Sequence, residues 1–171
     1  MTKQDQVDLL LVEGAADYAE FVIEAFKKSN YFDYHIVWVR NLADARFELE
    51  HQEYDIVIFN LVLPNGEGTD LVKEIRRLAP RKRTAIIVIG SSITEESELE
   101  VRRELANDYL CKDEVTAKDL LTTVRNWAIF ALGVKEARRA TSGLDTIGQQ
   151  MDETIQACER SENLPPFKGQ S

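Results

Sequence analysis

The chain has 171 residues, of which 44% are hydrophobic and 30% charged, as is typical of one globular domain with a modest extension. A net charge of −9 argues against nucleic acid as a partner. No apolar run is long enough to span a membrane, and the N-terminus lacks a signal-peptide pattern. Cys111 and Cys158 lie far apart, without metal-ligand spacing, which favours reduced thiols in a cytoplasmic protein.

Apolar segments of strand length alternate with amphipathic segments of helix length along most of the chain. The first predicted strand, residues 7–12, is followed by a helical pattern over residues 15–28. The further predicted strands are residues 34–39, 56–59, 85–89 and 108–111, and further helices begin at residues 42, 69, 94 and 117.

This alternation predicts the fold class. Five βα units of this size indicate an α/β fold, with a doubly wound, five-stranded parallel sheet covered by helices on both faces. Right-handed connections leave few topologies, and the flavodoxin-like order 2-1-3-4-5 suits five strands. The predicted domain covers residues 1–133.

Residues 54–68, YDIVIFNLVLPNGEG, contain the most informative position of the chain. Residues 56–59 predict a buried strand that stops at Asn60, and Pro64-Asn65-Gly66 then predicts a loop. Asn60 is therefore expected at the carboxyl end of a central parallel strand, where open α/β sheets place their chemistry. The residue at this position is an amide.

Helix-forming residues continue beyond the predicted domain, with no proline before Pro165. Apolar or small residues at steps of three and four form a heptad pattern over residues 134–160. This C-terminal seam consists of Ala137, Ala140, Leu144, Ile147, Met151, Thr154 and Cys158. The pattern predicts an extended C-terminal helix, which either forms a two-chain coiled coil or folds back on its own domain. Residues 161–171 predict a disordered tail.

The last helix of the predicted domain has an apolar face that leads toward this seam. Trp127 and Phe130 lie on that face and are expected in the core or at a dimer surface. Together with Leu144, Ile147 and Met151 of the seam, they are the residues predicted to support a homodimer.

Residues at the ends of the predicted strands resemble the receiver domain of two-component response regulators, the CheY-like family. VEGAAD, residues 12–17, is similar to the acidic loop after the family's first strand. FNLVLPNGEG, residues 59–68, is similar to its phosphorylation loop, and DYLCKDE, residues 108–114, to the lysine-bearing end of its fifth strand. The spacing from Asn60 to Lys112 matches without a gap.

The resemblance implies which residues would carry the family's chemistry. An aspartate at the position of Asn60 accepts the phosphoryl group, and two acids at the positions of Glu13 and Gly14 help it to hold Mg²⁺. A hydroxyl at the position of Gly90 contacts the phosphoryl group, and the lysine at Lys112 pairs with it. This chain keeps Glu13 and Lys112 and lacks the other groups.

These departures predict a degenerate phosphorylation pocket. An amide carries no charge and is a poor nucleophile, and one remaining acid, Glu13, makes at best a weak metal site. Ser91 could replace only part of the missing hydroxyl at Gly90. Lys112 is expected to pair with Glu13 or to donate to the Asn60 carbonyl, because a buried charge needs a partner.

Tyr109 matches the family's switch aromatic, which turns inward when the hydroxyl on the fourth strand is engaged. With glycine at position 90, no side chain crowds the ring, and inward packing is expected to be permanent.

The function predicted from the sequence is a phosphorylation-independent pseudo-receiver, not an enzyme, that acts by binding another signalling protein and by dimerising. One alternative is an atypical receiver that uses an unrecognised phosphoacceptor, although Asp55 starts its strand rather than ending it. A less favoured alternative is a small-ligand or enzyme domain on the same fold. The sequence contains neither GxGxxG nor GxxxxGK[ST], so no nucleotide cofactor is expected.

Overall fold

The structure is a computed structural model that describes residues 5–63, 66–78, 84–91 and 106–133, together with Glu136 and Ala140. The chain divides into two compact units, Met1–Gly133 and Val134–Ser171. The numbered strands and helices given below belong to the first unit. The helix predicted to begin at residue 94, the larger part of the C-terminal seam and the predicted tail lie outside the described residues.

The described part of the first unit contains the strands and helices in alternation. The strands are β1 (Gln6–Val12), β2 (Asp33–Val39), β3 (Ile56–Asn60), β4 (Val62–Leu63), β5 (Gly66–Glu67), β6 (Ala85–Gly90) and β7 (Asp108–Cys111). The helices are α1 (Ala16–Lys27), α2 (Leu42–His51), α3 (Gly68–Leu78) and α4, residues 117–133. Glu136 and Ala140 are also helical, so a C-terminal helix is present, as predicted.

Five strands form one parallel sheet in the order β2-β1-β3-β6-β7. The predicted order 2-1-3-4-5 is confirmed, because β4 and β5 pair only with each other. The register pairs Val12 with Phe59, Asn60 with Ile89, and Gly90 with Cys111. The carboxyl ends of four neighbouring strands therefore meet at one edge of the sheet.

Two apolar clusters cover the two faces of this sheet. Alternate residues of a strand point to opposite faces, and both faces are covered by helices, so β1, β3 and β6 are apolar almost throughout. The buried residues on the face toward α1 and α4 include Leu9, Leu11, Ile58, Ile87, Val22 and Val124. Those on the face toward α2 and α3 include Leu10, Val57, Phe59, Val88, Ala45 and Ile75.

The segment after Asn60 differs from the predicted loop. Val62–Leu63 and Gly66–Glu67 form a two-stranded antiparallel pair, with Leu63 opposite Gly66. Two residues separate the paired strands, which is the commonest hairpin length. The hairpin brings its first strand close to the side chain of Asn60, which accepts a hydrogen bond from the Val62 amide (3.1 Å).

Within the part of the chain that the structure describes, no helix is long and apolar enough to cross a membrane.

A half-buried polar junction joins α3 to the opposite end of the sheet. The Arg76 guanidinium donates to the Thr84 carbonyl (2.8 Å) and to Asn107 Oδ1 (2.6 Å). Asn107 Oδ1 also accepts from the Ile86 amide (2.7 Å), and the Asn107 amide donates to the Ile86 carbonyl (2.8 Å). Burial lowers the pKa of Arg76 from its usual value. One side-chain oxygen therefore fixes both the guanidinium and the start of β6.

We expect Asn107→Ala to lower the free energy of unfolding by about 1–3 kcal/mol, because the Arg76 and Ile86 donors lose their shared acceptor. Urea unfolding measures the loss. Asn126→Ala is the matched control, since Asn126 is exposed on α4 and its change should stay within about 0.5 kcal/mol. Equal effects of the two substitutions would show that the junction contributes nothing to stability.

Candidate functional site

The candidate site lies where β1, β3, β6 and β7 end. Backbone hydrogen bonds continue the sheet by one residue past the strands. They join the Glu13 amide to the Val39 carbonyl (3.0 Å) and the Lys112 amide to the Gly90 carbonyl (2.7 Å). Glu13, Asn60 and Lys112, distant in sequence, are thereby placed side by side, because the carboxyl ends of parallel strands share one edge.

The Glu13 carboxylate is the centre of this site. Its side chain is almost fully buried, with a residue exposure of 2%. Oε1 accepts a hydrogen bond from the Ala15 amide (2.8 Å), and Oε2 pairs with Lys112 Nζ (3.0 Å). Asn60 Nδ2 donates to both oxygens, at 3.3 and 3.2 Å. A buried carboxylate requires such partners, and here all three come from within the chain.

The orientation of the Asn60 amide follows from its two neighbours. The Val62 amide can only donate, so the atom facing it is the side-chain oxygen, at 3.1 Å. The ionised Glu13 carboxylate can only accept, so the atom facing it is the side-chain nitrogen. Asn60 therefore bridges the hairpin and Glu13 with both ends of its amide, and its carbonyl is not the partner of Lys112.

Lys112 is held on a second side by Tyr18. The Lys112 ammonium lies 4.1 Å from the centroid of the Tyr18 ring, within the range of a cation–π interaction. The Tyr18 hydroxyl is buried, and no described residue forms a hydrogen bond with it. Burial, followed by the nearby Glu13 charge, raises the pKa of Tyr18 to about 12. Lys112 thus has its charge balanced by a carboxylate and a ring face, with a side-chain exposure of 20%.

Gly90 and Tyr109 are in close contact beside this cluster. The Tyr109 hydroxyl donates to the Gly90 carbonyl (2.9 Å). A Cβ atom placed on Gly90 would lie 3.1 Å from the Tyr109 hydroxyl oxygen and 3.4 Å from Leu61 Cδ1. A side chain at position 90 would therefore require the Tyr109 hydroxyl to shift by a few tenths of an ångström. Ser91 is exposed, and within the described residues no hydrogen bond joins it to Glu13, Asn60 or Lys112.

A family model described as "Response regulator receiver domain" matches residues 9–125, more than half of the chain. The chain belongs to this family. The resemblance found at the strand ends is confirmed, and the chain carries a signalling domain of the two-component type.

Individual relatives agree with this assignment. The chain is 28% identical over 131 residues to the response regulator Rcp1 of Synechocystis, covering 72% of this chain and 88% of that protein. It is 29% identical over 106 residues to the swarming motility regulation protein RssB of Serratia marcescens, covering 62% of this chain and 46% of RssB. The chain thus spans less than half of RssB.

A solved structure shows the same fold. The chemotaxis response regulator CheY4 of Vibrio cholerae superimposes with a TM-score of 0.64 at 19% identity, covering 71% of this chain and 98% of CheY4. The flavodoxin-like architecture predicted from the sequence is confirmed.

The described residues do not fit the Mg²⁺ ion that the family implies. Mg²⁺ needs oxygen ligands, mainly carboxylates, in octahedral arrangement. Here Gly14 offers no side chain, Asn60 points its nitrogen at Glu13, and both Glu13 oxygens already accept hydrogen bonds, one of them from an ammonium. Among the described residues, no group of three or more His, Cys, Asp and Glu side chains could hold a metal ion.

The structure brings together most of the predicted pocket residues. Glu13, Asn60 and Lys112 touch one another, and Gly90 contacts Tyr109. Sequence reasoning missed Tyr18. Its position on the first turn of α1, five residues after Glu13, was the available signal.

The residues predicted for a dimer seam lie partly within the described chain. Trp127 is half-buried, and its indole donates to Asp108 Oδ2 (3.3 Å). Its ring meets that of Phe130 edge-on at 6.0 Å, and Phe130 itself is 52% exposed. Leu144, Ile147 and Met151 lie outside the described residues.

We expect Glu13→Ala to lower the free energy of unfolding by about 3–5 kcal/mol, because it leaves the Lys112 charge and two further donors without their acceptor. Lys112→Met should cost less, since Glu13 keeps the Ala15 and Asn60 donors and methionine still covers the Tyr18 ring. Chemical denaturation of both variants compares them. Glu20→Ala, an exposed glutamate on α1, is the control. A larger loss for Lys112→Met than for Glu13→Ala would contradict this account.

Tyr18→Phe should leave stability at neutral pH unchanged or raised, because it removes a buried hydroxyl without a partner and keeps the ring beneath Lys112. Tyr54→Phe is the contrasting control and should cost about 1–3 kcal/mol, since the Tyr54 hydroxyl donates to Glu48 (2.6 Å).

The same variant predicts a pH effect. The folded-state pKa of Tyr18 is raised from 10.0 to about 12, so its contribution to stability is complete below pH 10 and is lost as the pH rises toward 12. Thermal unfolding between pH 9 and 12 should therefore show a shallower alkaline loss for Tyr18→Phe than for the native chain. An equal loss of stability with pH in both proteins would contradict the raised pKa of Tyr18.

Proposed function

We propose that the chain is a pseudo-receiver, a signalling domain that works without phosphorylation and acts by contacts with other proteins. The observation that carries the proposal is the position of Asn60. Its amide stands where the family has the phosphoacceptor aspartate, and both ends of that amide are engaged, by Glu13 and by the Val62 amide.

The chemistry of the site supports this proposal. Phosphoryl transfer to a receiver requires a nucleophilic carboxylate, and an amide nitrogen or oxygen is a poor substitute. The lysine that would pair with a phosphoryl group is bound to Glu13 at 3.0 Å, in a pair whose carboxylate is almost fully buried. A phosphoryl group could pair with Lys112 only by breaking the bond between Lys112 and Glu13. No metal ion would then balance the negative charge of the phosphoryl group.

Asp55 does not provide an alternative phosphoacceptor. It lies just before β3, at the amino end of the strand, whereas Asn60 lies at the carboxyl end. The residue is 5% exposed, and its Oδ2 accepts a hydrogen bond from the Asp8 amide (3.0 Å).

The contacts of Tyr109 support a partner-binding surface that has a single conformation. Its hydroxyl is bound to the Gly90 carbonyl, and a Cβ atom at position 90 would lie 3.1 Å from the hydroxyl oxygen. In the family this aromatic responds to a hydroxyl at the position of Gly90, on the neighbouring strand, and glycine has no hydroxyl. The surface that Tyr109 helps to form is therefore proposed to stay the same whatever the phosphorylation state of the pathway.

The partners proposed are another signalling protein and a second copy of this chain, with no enzymatic activity and no nucleic acid involved. The exposed Phe130 on α4 and the heptad pattern of the C-terminal seam support self-association. The net charge of −9 supports protein rather than nucleic acid as partner.

Acetyl phosphate with Mg²⁺ should not modify the chain, because the acceptor carboxylate is missing and the metal site is incomplete. Intact-mass measurement after incubation tests this, with a receiver that has the aspartate as positive control. Asn60→Asp should restore at most slow, weak labelling, since Gly14 and Gly90 remain. A stable gain of one phosphoryl group on the native chain, removable by hydroxylamine, would refute the pseudo-receiver proposal.

A further inference from the structure

The strand β2 forms one edge of the parallel sheet. It pairs with β1 along its whole length without a bulge, and no other described strand pairs with it. A sheet edge is usually protected by a proline, a lysine, a bulge or a short strand, because its open N–H and C=O groups pair readily with another chain. β2 has seven residues and contains neither proline nor lysine. At the other edge, β7 has four residues and is followed directly by Lys112. β2 is therefore the less protected of the two edges.

The backbone hydrogen bonds of β2 show which of its residues face β1. At the start of the strand, the Asp33 amide donates to the Asp5 carbonyl (3.1 Å). At its end, the Val39 carbonyl accepts from the Glu13 amide (3.0 Å). The backbone groups of successive residues in a strand point alternately to its two sides, so the odd-numbered residues of β2 all face β1.

The even-numbered residues of β2 consequently face away from the sheet. Tyr34, Ile36 and Trp38 each direct both their N–H and their C=O group to the open side. Within the part of the chain that the structure describes, no hydrogen bond engages these backbone groups. The edge thus offers three donors and three acceptors, spaced at every second residue.

The side chains of β2 are held in place by the rest of the protein. The Tyr34 ring packs against that of Phe26, with 4.7 Å between the centroids. The Trp38 indole donates to the Glu13 carbonyl (2.9 Å), and the Arg40 guanidinium lies 4.7 Å from the centroid of the Trp38 ring. The strand is already extended and ordered, so little conformational entropy is lost when another strand pairs with it.

We propose that two copies of the chain pair through β2, in antiparallel orientation and centred on Ile36. The inference rests on the self-association proposed above and gives it a surface that needs neither Phe130 nor the C-terminal seam. With a two-fold axis at Ile36, Tyr34 lies opposite Trp38 of the second copy, and the two Ile36 residues lie opposite each other. Each such pair exchanges two N–H···O bonds, as in an antiparallel ladder, so every outward backbone group finds a partner.

The side chains and charges of β2 favour a second copy as its partner. Tyr34, Ile36 and Trp38 lie on the face toward α1 and α4, so the pairing sets aromatic rings opposite each other, which stabilises sheets. The strand begins with the exposed Asp33 and is followed by the exposed Arg40. Antiparallel pairing brings the acidic start of one strand to the basic end of the other. Parallel pairing would place Asp33 beside Asp33, and like charges in that position repel.

Amide hydrogen exchange, resolved by residue, tests the pairing on the native full-length chain. A pair of seven-residue strands is a small contact, so we expect weak association that increases with concentration. The outward amides of Tyr34, Ile36 and Trp38 should then exchange more slowly as the concentration rises. The inward amides of His35 and Val37 are the internal control and should be protected already in dilute solution. Outward amides whose exchange rates do not depend on concentration would overturn the proposal.

Ile36→Lys should raise the dimer dissociation constant of the full-length chain by roughly tenfold or more, because a lysine on an edge strand opposes pairing. Sedimentation measures the constant. Phe47→Lys is the matched control, since Phe47 is 60% exposed on α2 and the change in charge is the same. On a chain of net charge −9 an added lysine reduces the repulsion between copies, so Phe47→Lys should leave the constant unchanged or lower it.

Phe130→Lys separates this surface from the one that includes Phe130. A dimer that is weakened by Phe130→Lys and not by Ile36→Lys would show that β2 is not the contact, although the chain associates. A native chain that is monomeric at every concentration would refute self-association altogether. Neither result depends on the mass measurement with acetyl phosphate, so the β2 pairing and the pseudo-receiver proposal can fail separately.

Discussion

The buried Glu13 carboxylate is the constraint on which the arrangement of this site depends. A carboxylate with 2% exposure is stable only if charged or polar donors surround it. Its donors come from three places in the chain, the backbone before α1, the end of β3 and the residue after β7. The need to satisfy one side chain therefore fixes the relative positions of three segments that are up to 99 residues apart. The same bonds leave this carboxylate without a free oxygen for a metal ion.

The sequence predicted the fold well because the three central strands, β1, β3 and β6, are covered on both faces. Continuous apolar runs of strand length, separated by amphipathic helices, allow few arrangements once the connections are right-handed. The site was predicted only in part. The spacing placed Glu13, Asn60 and Lys112 at one edge of the sheet and gave two partners for Lys112, the Glu13 carboxylate and the Asn60 carbonyl. The Val62 amide decides between these two partners, because it donates to the Asn60 carbonyl and leaves Glu13 as the partner of Lys112. Val62 belongs to a hairpin, in a segment that the sequence predicts as a loop.

Tyr18 shows a different limit of sequence reasoning. Its role depends on which way the first turn of α1 faces, and no spacing rule connects an aromatic residue there with a lysine after β7. Tyr18 offers its ring face to the Lys112 ammonium. Its buried hydroxyl has no hydrogen-bond partner among the described residues. By contrast, the close approach of Tyr109 to Gly90 follows from a feature visible in the sequence, since glycine has no side chain to occupy the space.

A continuous set of contacts leads from the pocket to the exposed ring of Phe130. Gly90 binds the Tyr109 hydroxyl, the Asp108 carboxylate accepts from both the Tyr109 amide (2.9 Å) and the Trp127 indole, and Trp127 supports Phe130. Such contacts transmit a signal only if some element in the set has two arrangements that a ligand can favour unequally. In the proposed pseudo-receiver Tyr109 has one arrangement, because no hydroxyl at position 90 competes for its space and no phosphoryl group draws such a hydroxyl away. The contacts then act as a fixed support for Phe130, and self-association is expected to depend on the concentration of the chain rather than on the state of the pocket.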